Sequence, residues 1–491
     1  MDNKFRLKAI FLILVLIFAA YSNSLYNKFV WDDEFLVVDN SLIKNPHLFP
    51  KIFSTDLFHN NPLGATNYYR PLQTLSYILD YSLFKLNPWG FHLINILLHF
   101  FNAVLVYGLL GLLTKDNFIS FWGAILFSLH PAQVEAVTYI SGRADLLFGI
   151  FFFSSFILYI KHRDYPKPKI SHLYLASLLL FLLALLSKEL AVVLPLVIVI
   201  YDLFIRKLEP KKYIGFFLLD GIYLASRFTI LNFTGNNPIL FKDTLIFEPQ
   251  ELLKAITTYA KIVILPINLH IGRLLPSAIG IFDIISLVLF LFIFIAGLAI
   301  YRQKRKLIYF AFVWFWLILF SQSNLLFRFL IIQTSEHFLY FPLVGFFLVV
   351  GFLVKWLYQK NKFISKFFLG SIVGFYLVIV FGQNIVWRDS ISLYRWTLKN
   401  SPGNFVVRNN LGLELDKRGL LNEAAGEFET ALKYRPNFFY THANLGTVYF
   451  KLGRLKEAKG HYLKAIELNP HLSILRENYR KLLTQIKDDS D

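Results

Sequence analysis

The sequence predicts an all-α protein in which a polytopic helical membrane domain precedes a short solenoid of helical repeats. Hydrophobic residues make up 56% of its 491 positions, which is typical of a chain that crosses a bilayer repeatedly. Lysine and arginine occur in short groups between the apolar runs, and a 34-residue period begins where those runs stop. We therefore place the membrane domain at residues 1–384 and the repeat domain at residues 385–491.

Eleven apolar stretches are candidate membrane helices. Several are shorter than the ~20 residues of a perpendicular span, so we expect polar ends to extend them. If the N-terminus is cytoplasmic, eleven crossings keep the basic groups inside and put the repeat domain outside. Residues 251–270 would upset this pattern by crossing, so we predict an interfacial or re-entrant helix there. The stretches are residues 9–26, 91–113, 118–130, 144–160, 171–187, 190–205, 213–230, 281–300, 307–320, 337–357 and 363–382.

Charge and cysteine content exclude several function classes. The formal net charge is +18, but it is spread over short loops, which argues against a nucleic-acid-binding face. The chain has no cysteine, so disulfides, thiol catalysis and zinc–cysteine sites are excluded.

The basic start at residues 4–8 precedes an apolar run without a clear cleavage site, which favours a retained signal anchor. The Phe-, Ile- and Lys-rich composition suggests a bacterial inner membrane.

The C-terminal part contains an internal repeat of 34 residues, the period of the tetratricopeptide repeat. We expect a partial leading repeat at residues 387–400, two full units, and a capping helix at residues 471–486. Such arrays bind peptides or proteins on a concave face, although a short one could also be a rigid spacer. The positions that share the period are Pro402, Pro436 and Pro470, Gly412 and Gly446, Gly419 and Gly453, and Ala424 and Ala458.

Three acidic residues, Asp32, Asp33 and Glu34, follow the first predicted membrane helix. Like charges this close are unfavourable near a bilayer unless a cation or a proton occupies the site. A solvated loop would be the simplest explanation if the triplet stood alone.

Other ionisable residues recur at the predicted outer ends of the membrane helices. Each group alone is explained by an ion pair or a boundary anchor, because charges at a membrane boundary usually find a partner. Together they could surround a cavity that opens outward, with acids for catalysis and cations for an anionic donor. They are Arg70, His130, Glu135, Arg143, Asp145, Lys188, Glu189, Glu336 and His337.

These segments resemble the transmembrane and tetratricopeptide-repeat glycosyltransferases of the GT-C superfamily, which are related to the protein O-mannosyltransferases. The resemblance covers nearly the whole chain, and the combination of motifs is specific although no single motif is. The chain departs from the family at Glu336-His337, where an acid–arginine pair is usual, and in the shortness of its repeat array. The matching motifs are Trp31-Asp32-Asp33-Glu34, Tyr69-Arg70-Pro71-Leu72, Phe91-His92-Leu93-Ile94-Asn95, His130-Pro131 through Glu135-Ala136-Val137, Gly142-Arg143-Ala144-Asp145-Leu146 and Ser187-Lys188-Glu189.

The resemblance implies sugar transfer from a polyprenyl-phosphate-linked donor to a hydroxyl group, with a protein Ser or Thr as the expected acceptor. The active site and repeat domain would both be extracytoplasmic. A carboxylate, Asp33 in preference to Asp32, would remove the acceptor proton during one inverting displacement. Asp32, Asp33 and Glu135 could also hold Mg²⁺ or Mn²⁺, although no metal is required. The candidates are Asp33, Asp32 and Glu135 for catalysis, Arg143, Arg70 and Lys188 for the donor phosphate, and Glu34, His130, Asp145, Glu189, Glu336 and His337 in support.

Two other functions remain open at this stage. A non-enzymatic membrane scaffold, which displays the repeats to assemble protein complexes, would leave the outer-face charges without a purpose. A transporter or lipid flippase would need ionisable residues deep within the helices, whereas here they gather at one boundary.

Overall fold

The computed structural model describes residues 3–59, 66–164, 171–233, 249–323, 333–470 and 473–488. Within these ranges the secondary structure is almost entirely helical, which confirms the predicted all-α class. The chain divides into two compact units, one of residues 1–269 and 275–388 and the other of residues 270–274 and 389–491.

The first unit contains the membrane helices, and each of the eleven predicted stretches overlaps one of them. In chain order its helices are α1 (Asn3–Tyr21), α2 (Ser41–Lys44), α3 (Pro71–Phe84), α4 (Pro88–Thr114), α5 (Asn117–Leu129), α6 (Val134–Thr138), α7 (Arg143–Asp164), α8 (His172–Leu185), α9 (Leu194–Ile205), α10 (Ile214–Phe228), α11 (Pro249–Ile264), α12 (Ile281–Ile300), α13 (Arg305–Gln322), α14 (Pro342–Lys360) and α15 (Lys362–Val386). Two-residue strands lie at Arg273–Leu274 in the second unit and at Gln333–Thr334 in the first.

Within the described part of the chain, seven helices are long and apolar enough to cross a bilayer. They include α1, α4, α7 and α12 to α15, with the ends of some extended by a turn. The remaining predicted spans, α5 and α8 to α10, contain 12 to 15 residues each, less than the ~20 that a perpendicular crossing needs. Helix α11 covers most of the stretch predicted to be interfacial, and its place in the membrane stays a prediction.

Short irregular segments interrupt the helices at one end of the membrane unit. The chain leaves α5 through an extended His130, passes a 3₁₀ turn at Pro131–Gln133, α6 and a second 3₁₀ turn at Ile140–Gly142, and then starts α7. A similar break lies between α8 and α9, where Lys188 is extended before the 3₁₀ turn Glu189–Val193. Because α1, α5 and α8 end here while α3, α7 and α9 begin here, charged residues from distant motifs are brought to one end.

The second unit is a helical solenoid with the predicted 34-residue period. Two helical pairs form full units, α17 with α18 and α19 with α20. A Cβ atom added at Gly412 would lie 2.6 Å from the ring of Phe428, which would have to move, and one added at Gly446 would lie 3.1 Å from the ring of Tyr462, a tight contact. The helices are α16 (Ser390–Asn400), α17 (Phe405–Lys417), α18 (Leu421–Tyr434), α19 (Phe439–Lys451), α20 (Leu455–Leu468) and α21 (Ser473–Asp488).

The ends of the solenoid also agree with the repeat pattern. Helix α16 lies where a partial leading repeat was expected, and α21 lies where the capping helix was expected; residues 471–472 of that predicted helix are outside the described residues. Gly419 and Gly453, at equivalent places in the two units, have φ angles of +76° and +74°. This left-handed conformation closes the turn between paired helices and favours glycine.

Candidate active site

A cavity of about 550 Å³ lies at the end of the membrane unit where the helices are interrupted. Residues from several separate segments of the chain line it, including the loop after α1, the start of α3, and α6 with the turn that follows it. Seven residues that the sequence predicted for the site contribute to the lining. They are Asp32, Arg70, Glu135, Asp145, Lys188, Glu189 and His337.

Asp32 presents a carboxylate to this cavity and is half-buried. Its backbone N–H donates to the Tyr139 hydroxyl at 3.2 Å, and the side chains of Tyr139 and Trp31 hydrogen-bond its carboxylate. Burial raises the pKa of Asp32 to about 6, although these hydrogen bonds and the charge of Arg70 oppose the rise. A carboxylate with a pKa near neutrality suits a general base.

Asp33 lies behind the cavity wall and is completely buried. One carboxylate oxygen accepts from the Ser141 N–H at 2.9 Å and from the Ser141 hydroxyl, and the other accepts from the Val30 N–H at 3.0 Å. Burial raises the pKa of Asp33 to about 7, and the same hydrogen bonds oppose this rise. The contacts fasten the loop after α1 to the turn before α7, so they hold Asp32 in place.

Two cations in the cavity are each paired with an acid. Arg70 Nε donates to Glu189 Oε2 at 3.0 Å, and Lys188 Nζ donates to Asp145 Oδ1 at 2.6 Å. Burial lowers the pKa of Lys188, and the nearby Asp145 carboxylate opposes that effect. The pairs hold two positive side chains at the cavity wall without leaving either charge uncompensated.

Glu135 forms a third pair on another part of the lining. Its two carboxylate oxygens contact His337, through Nδ1 at 2.9 Å and through the backbone N–H at 3.0 Å. Burial by itself raises the pKa of Glu135. The charge and hydrogen bonds of His337 have the larger, opposite effect, so the pKa of Glu135 lies below its usual range. Glu336 is buried beside them and also hydrogen-bonds Glu135.

Arg143 is fully buried and does not line the cavity. Its guanidinium forms an ion pair with Asp80, donates to Asn95 Oδ1 at 2.7 Å and to the Phe91 carbonyl at 2.8 Å, and lies over the Tyr77 ring at 5.1 Å. These contacts join α3, α4 and α7 beneath the cavity. Its predicted contact with a donor phosphate stays untested.

Two further candidates, His130 and Glu34, also lie away from the lining. His130 is buried, and its Nε2 is 3.2 Å from the Val263 carbonyl while Nδ1 accepts from the Ala132 N–H. Glu34 begins a five-residue π-helical turn, Glu34–Val38, and is half-buried.

Sequence reasoning did not single out several uncharged residues of the cavity. Tyr139, which contacts Asp32, had no distinguishing signal, since an isolated tyrosine between membrane helices is common. Ser141 precedes the conspicuous Gly142-Arg143 pair, so its position could have suggested a role. Other uncharged lining residues are Phe58, Tyr68, Gln73, Gln322 and Phe338.

The predicted metal ligands do not form a metal-binding group in this arrangement. In the described ranges, no three His, Cys, Asp or Glu side chains are grouped so that they could hold an ion. The oxygens of Asp33 already accept from Ser141 and Val30, and those of Glu135 face His337. These donor atoms do not fit a shared Mg²⁺ or Mn²⁺, which favours six oxygen ligands.

Comparison with known proteins supports both parts of this description. Residues 439–472 match the tetratricopeptide repeat family. Over 449 residues the chain is 26% identical to "Protein O-mannosyl-transferase F38B6.6" of Caenorhabditis elegans, covering 87% of this chain and 62% of that protein. It is 26% identical to human "Protein O-mannosyl-transferase TMTC3", covering 84% of this chain and 49% of that protein, and 32% identical to human TMTC2 over 248 residues, 48% of this chain and 27% of that protein.

The chain spans from about a quarter to about three fifths of the length of these relatives. A solved structure, ArnT from Cupriavidus metallidurans bound to undecaprenyl phosphate, aligns with a TM-score of 0.45 at 14% identity, covering 94% of this chain and 80% of that one. The alignments with the worm protein and human TMTC3 include part of the repeats, because they cover more residues than the membrane unit contains. The chain is therefore an integral membrane protein, and its predicted resemblance to the TMTC-like protein O-mannosyl-transferases is confirmed.

Proposed function

We propose that this protein is a membrane glycosyltransferase that moves a sugar from a polyprenyl-phosphate-linked donor to a hydroxyl group. The observation that carries the proposal is that Asp32, Arg70 and Lys188 line one cavity. A base and cations are the groups that such a transfer needs, one at the attacking oxygen and the others at the leaving phosphate. The names of the relatives agree with this chemistry.

Asp32 is the base in this proposal, and Asp33 is the residue that positions it. Asp32 faces the cavity, whereas both oxygens of Asp33 are occupied by Ser141 and Val30. The Asp32 carboxylate takes the proton as the acceptor oxygen attacks the anomeric carbon. The bond from that carbon to the phosphate oxygen breaks in the same step, so the configuration inverts.

Arg70 and Lys188 receive the negative charge that develops on the leaving phosphate. Arg70 uses its Nε–H on Glu189, which leaves its other guanidinium N–H groups to reach phosphate oxygens, and a guanidinium suits bidentate contact. Lys188 donates one of its three N–H groups to Asp145. Both cations can therefore bind the donor without losing their carboxylate partners.

We further propose a protein Ser or Thr hydroxyl as the acceptor, at the extracytoplasmic face of a bacterial inner membrane. The names of the relatives specify protein O-mannosyl transfer, and the match to the tetratricopeptide repeat supports a peptide-binding surface on the second unit. Undecaprenyl phosphate would be the lipid carrier in such a membrane, with mannose as the first sugar to test.

The direct test is sugar transfer by the purified full chain in nanodiscs. A panel of radiolabelled polyprenyl-phosphate sugars is offered with Ser- and Thr-containing peptides, and labelled peptide is counted. We expect transfer from at least one donor and none from the free sugar. If no donor is used while residues 385–491 capture peptides specifically, the protein is a scaffold.

Removing either cavity cation should weaken binding of the donor, with little effect on the pKa of the proposed base Asp32. We expect Arg70→Gln and Lys188→Gln each to raise the KM for the lipid-linked donor or lower kcat/KM by about 10-fold to 100-fold, since a hydrogen bond to a charged group contributes about 1.5–3 kcal/mol. Steady-state kinetics against donor concentration measure this. Arg227→Gln is the matched control, because Arg227 lies near Tyr69 at the same end but is not part of the cavity lining. Equal losses in control and test variants would contradict the assignment.

Chelation should leave sugar transfer unchanged, because the acids nearest the proposed base are committed to protein donors. We expect activity in excess EDTA to match activity with added Mg²⁺ or Mn²⁺. The control is the same assay after dialysis and metal readdition. Loss of transfer in EDTA that Mn²⁺ restores would show that a metal binds when the donor is present.

A further inference from the structure

A second cavity, of about 690 Å³, lies at the opposite end of the membrane unit. It is formed where α1 begins and where α4 and α7 end. Helix α7 connects the two cavities, since Asp145 lines the first and Lys161 lines the second. The sixteen intervening residue steps of helix place them ~24 Å apart. No part of the proposed sugar transfer uses this second cavity.

Three cations surround the second cavity, Arg6, Lys115 and Lys161. All three are exposed, and no salt bridge to any of them is found within the described ranges. The acid in the lining, Asp116, is already engaged, because it pairs with Lys355 and accepts from the first N–H groups of α5. The cavity therefore has an excess of positive charge.

The wall of the cavity contains an unpaired buried hydroxyl. Tyr107 is 2% exposed, and across the described residues its hydroxyl has no hydrogen-bond partner. Arg6 lines the same cavity as Tyr107. A buried polar group without a partner is unfavourable, and a phosphate oxygen would satisfy the hydroxyl and the cation together.

The remaining wall is apolar and open. Val104, Leu105, Leu112 and Ile157 line it, and a Cβ atom added at Gly108 would meet nothing within 4 Å. A free phosphate would leave these side chains without contacts. An occupant that carries both an anionic head and a hydrocarbon chain fits the cavity better.

We propose that this cavity binds an anionic glycerophospholipid from the cytoplasmic leaflet, with its phosphate between Arg6, Lys115, Lys161 and the Tyr107 hydroxyl. The predicted orientation puts this end of α1, α4 and α7 at the cytoplasmic face, where anionic lipids attract basic side chains. Its acyl chain lies along the half-buried apolar wall of α4.

Native mass spectrometry of the full chain tests the proposal, with phosphatidylglycerol and phosphatidylcholine offered at equal concentrations. We expect Arg6→Gln/Lys115→Gln/Lys161→Gln to weaken phosphatidylglycerol retention at least about fivefold, the effect of even one surface cation. The matched control is Arg302→Gln/Lys304→Gln/Lys306→Gln, which removes three exposed cations from the same predicted face. Equal losses in the two triple variants would overturn the proposal, because retention would then reflect general surface charge.

A second pair of variants keeps all charges. Gly108→Phe should fill the cavity and reduce phosphatidylglycerol retention, whereas Gly370→Phe adds the same ring at an open position of α15, outside the cavity. Unchanged retention in Gly108→Phe would overturn the proposal. Competition by inorganic phosphate at millimolar concentration would also overturn it, since the ligand would then be a free anion.

Discussion

Asp32→Asn is expected to lower sugar transfer by about 10²-fold to 10⁴-fold, the usual contribution of a positioned general base. The amide cannot accept the proton of the acceptor hydroxyl, yet it is nearly isosteric and should leave the cavity intact. In the unsubstituted protein kcat/KM should rise with pH through about 6 and then level off, because the carboxylate must lose its proton before it can act. Transfer to peptide, measured from pH 4.5 to 8, provides both readouts.

Asp33→Asn separates positioning from proton transfer. One amide N–H₂ would face Ser141 or Val30, which are both donors, so activity should fall through misplacement of the loop. The kcat/KM of the residual activity should still rise with pH through about 6. If this rise disappears in Asp33→Asn and persists in Asp32→Asn, the base is Asp33. Asp39→Asn, on the same segment but exposed, is the control for a change of charge.

Arg143→Met is expected to reduce the free energy of unfolding by about 3–5 kcal/mol, because it leaves Asp80 buried without its cation. It also removes donors to Asn95 and to the Phe91 carbonyl. Unfolding of the protein in mixed micelles, followed by intrinsic fluorescence, measures the loss. Arg206→Met is the matched control: Arg206 and Asp164 are about one-third exposed, and a solvated pair contributes about 0–1 kcal/mol.

The double variant Arg143→Met/Asp80→Leu tests the predicted donor role of the same arginine. Removing both charges should restore most of the stability, since no unpaired ion remains. Transfer activity should return with stability if Arg143 only joins α3, α4 and α7. A stable double variant that binds donor poorly would show that Arg143 contacts the phosphate, as the sequence predicted.

The helices were the more predictable part of the fold. Apolar runs and the 34-residue period depend on local sequence, so the eleven stretches and the two repeat units could be placed before the structure was known. Hydropathy also placed the short helices α5 and α8 to α10 to within four residues at each end, but the polar ends expected to lengthen them do not, and they keep 12 to 15 residues each. Polar residues in the sequence marked the helix breaks at His130 and Lys188. Nothing in the sequence indicated that the backbone is extended at these two residues.

For the site, residue types predicted which charged groups gather at one end, but not which of them face the cavity. Asp32 and Asp33 are adjacent and chemically identical, and only the contacts to Tyr139 and Ser141 distinguish a half-exposed carboxylate from a buried one. Arg143 was assigned to the donor phosphate as a cation, and its pairing with Asp80 was not foreseen because Asp80 is 63 residues away in sequence. Pairing over such a distance depends on how α3 packs on α7, which a single sequence does not reveal.

The pairing of Arg70 with Glu189 and of Lys188 with Asp145 has a consequence for the kind of donor that can enter. Each cation already has a carboxylate beside it, and Asp32 and Glu135 add further negative charge to the lining. A sugar attached to a single phosphate brings one negative charge, whereas a nucleotide sugar brings a diphosphate that the same walls would repel more strongly. If the proposed function holds, we expect the cavity to prefer a donor with one negative charge over a nucleotide sugar, by charge rather than by size.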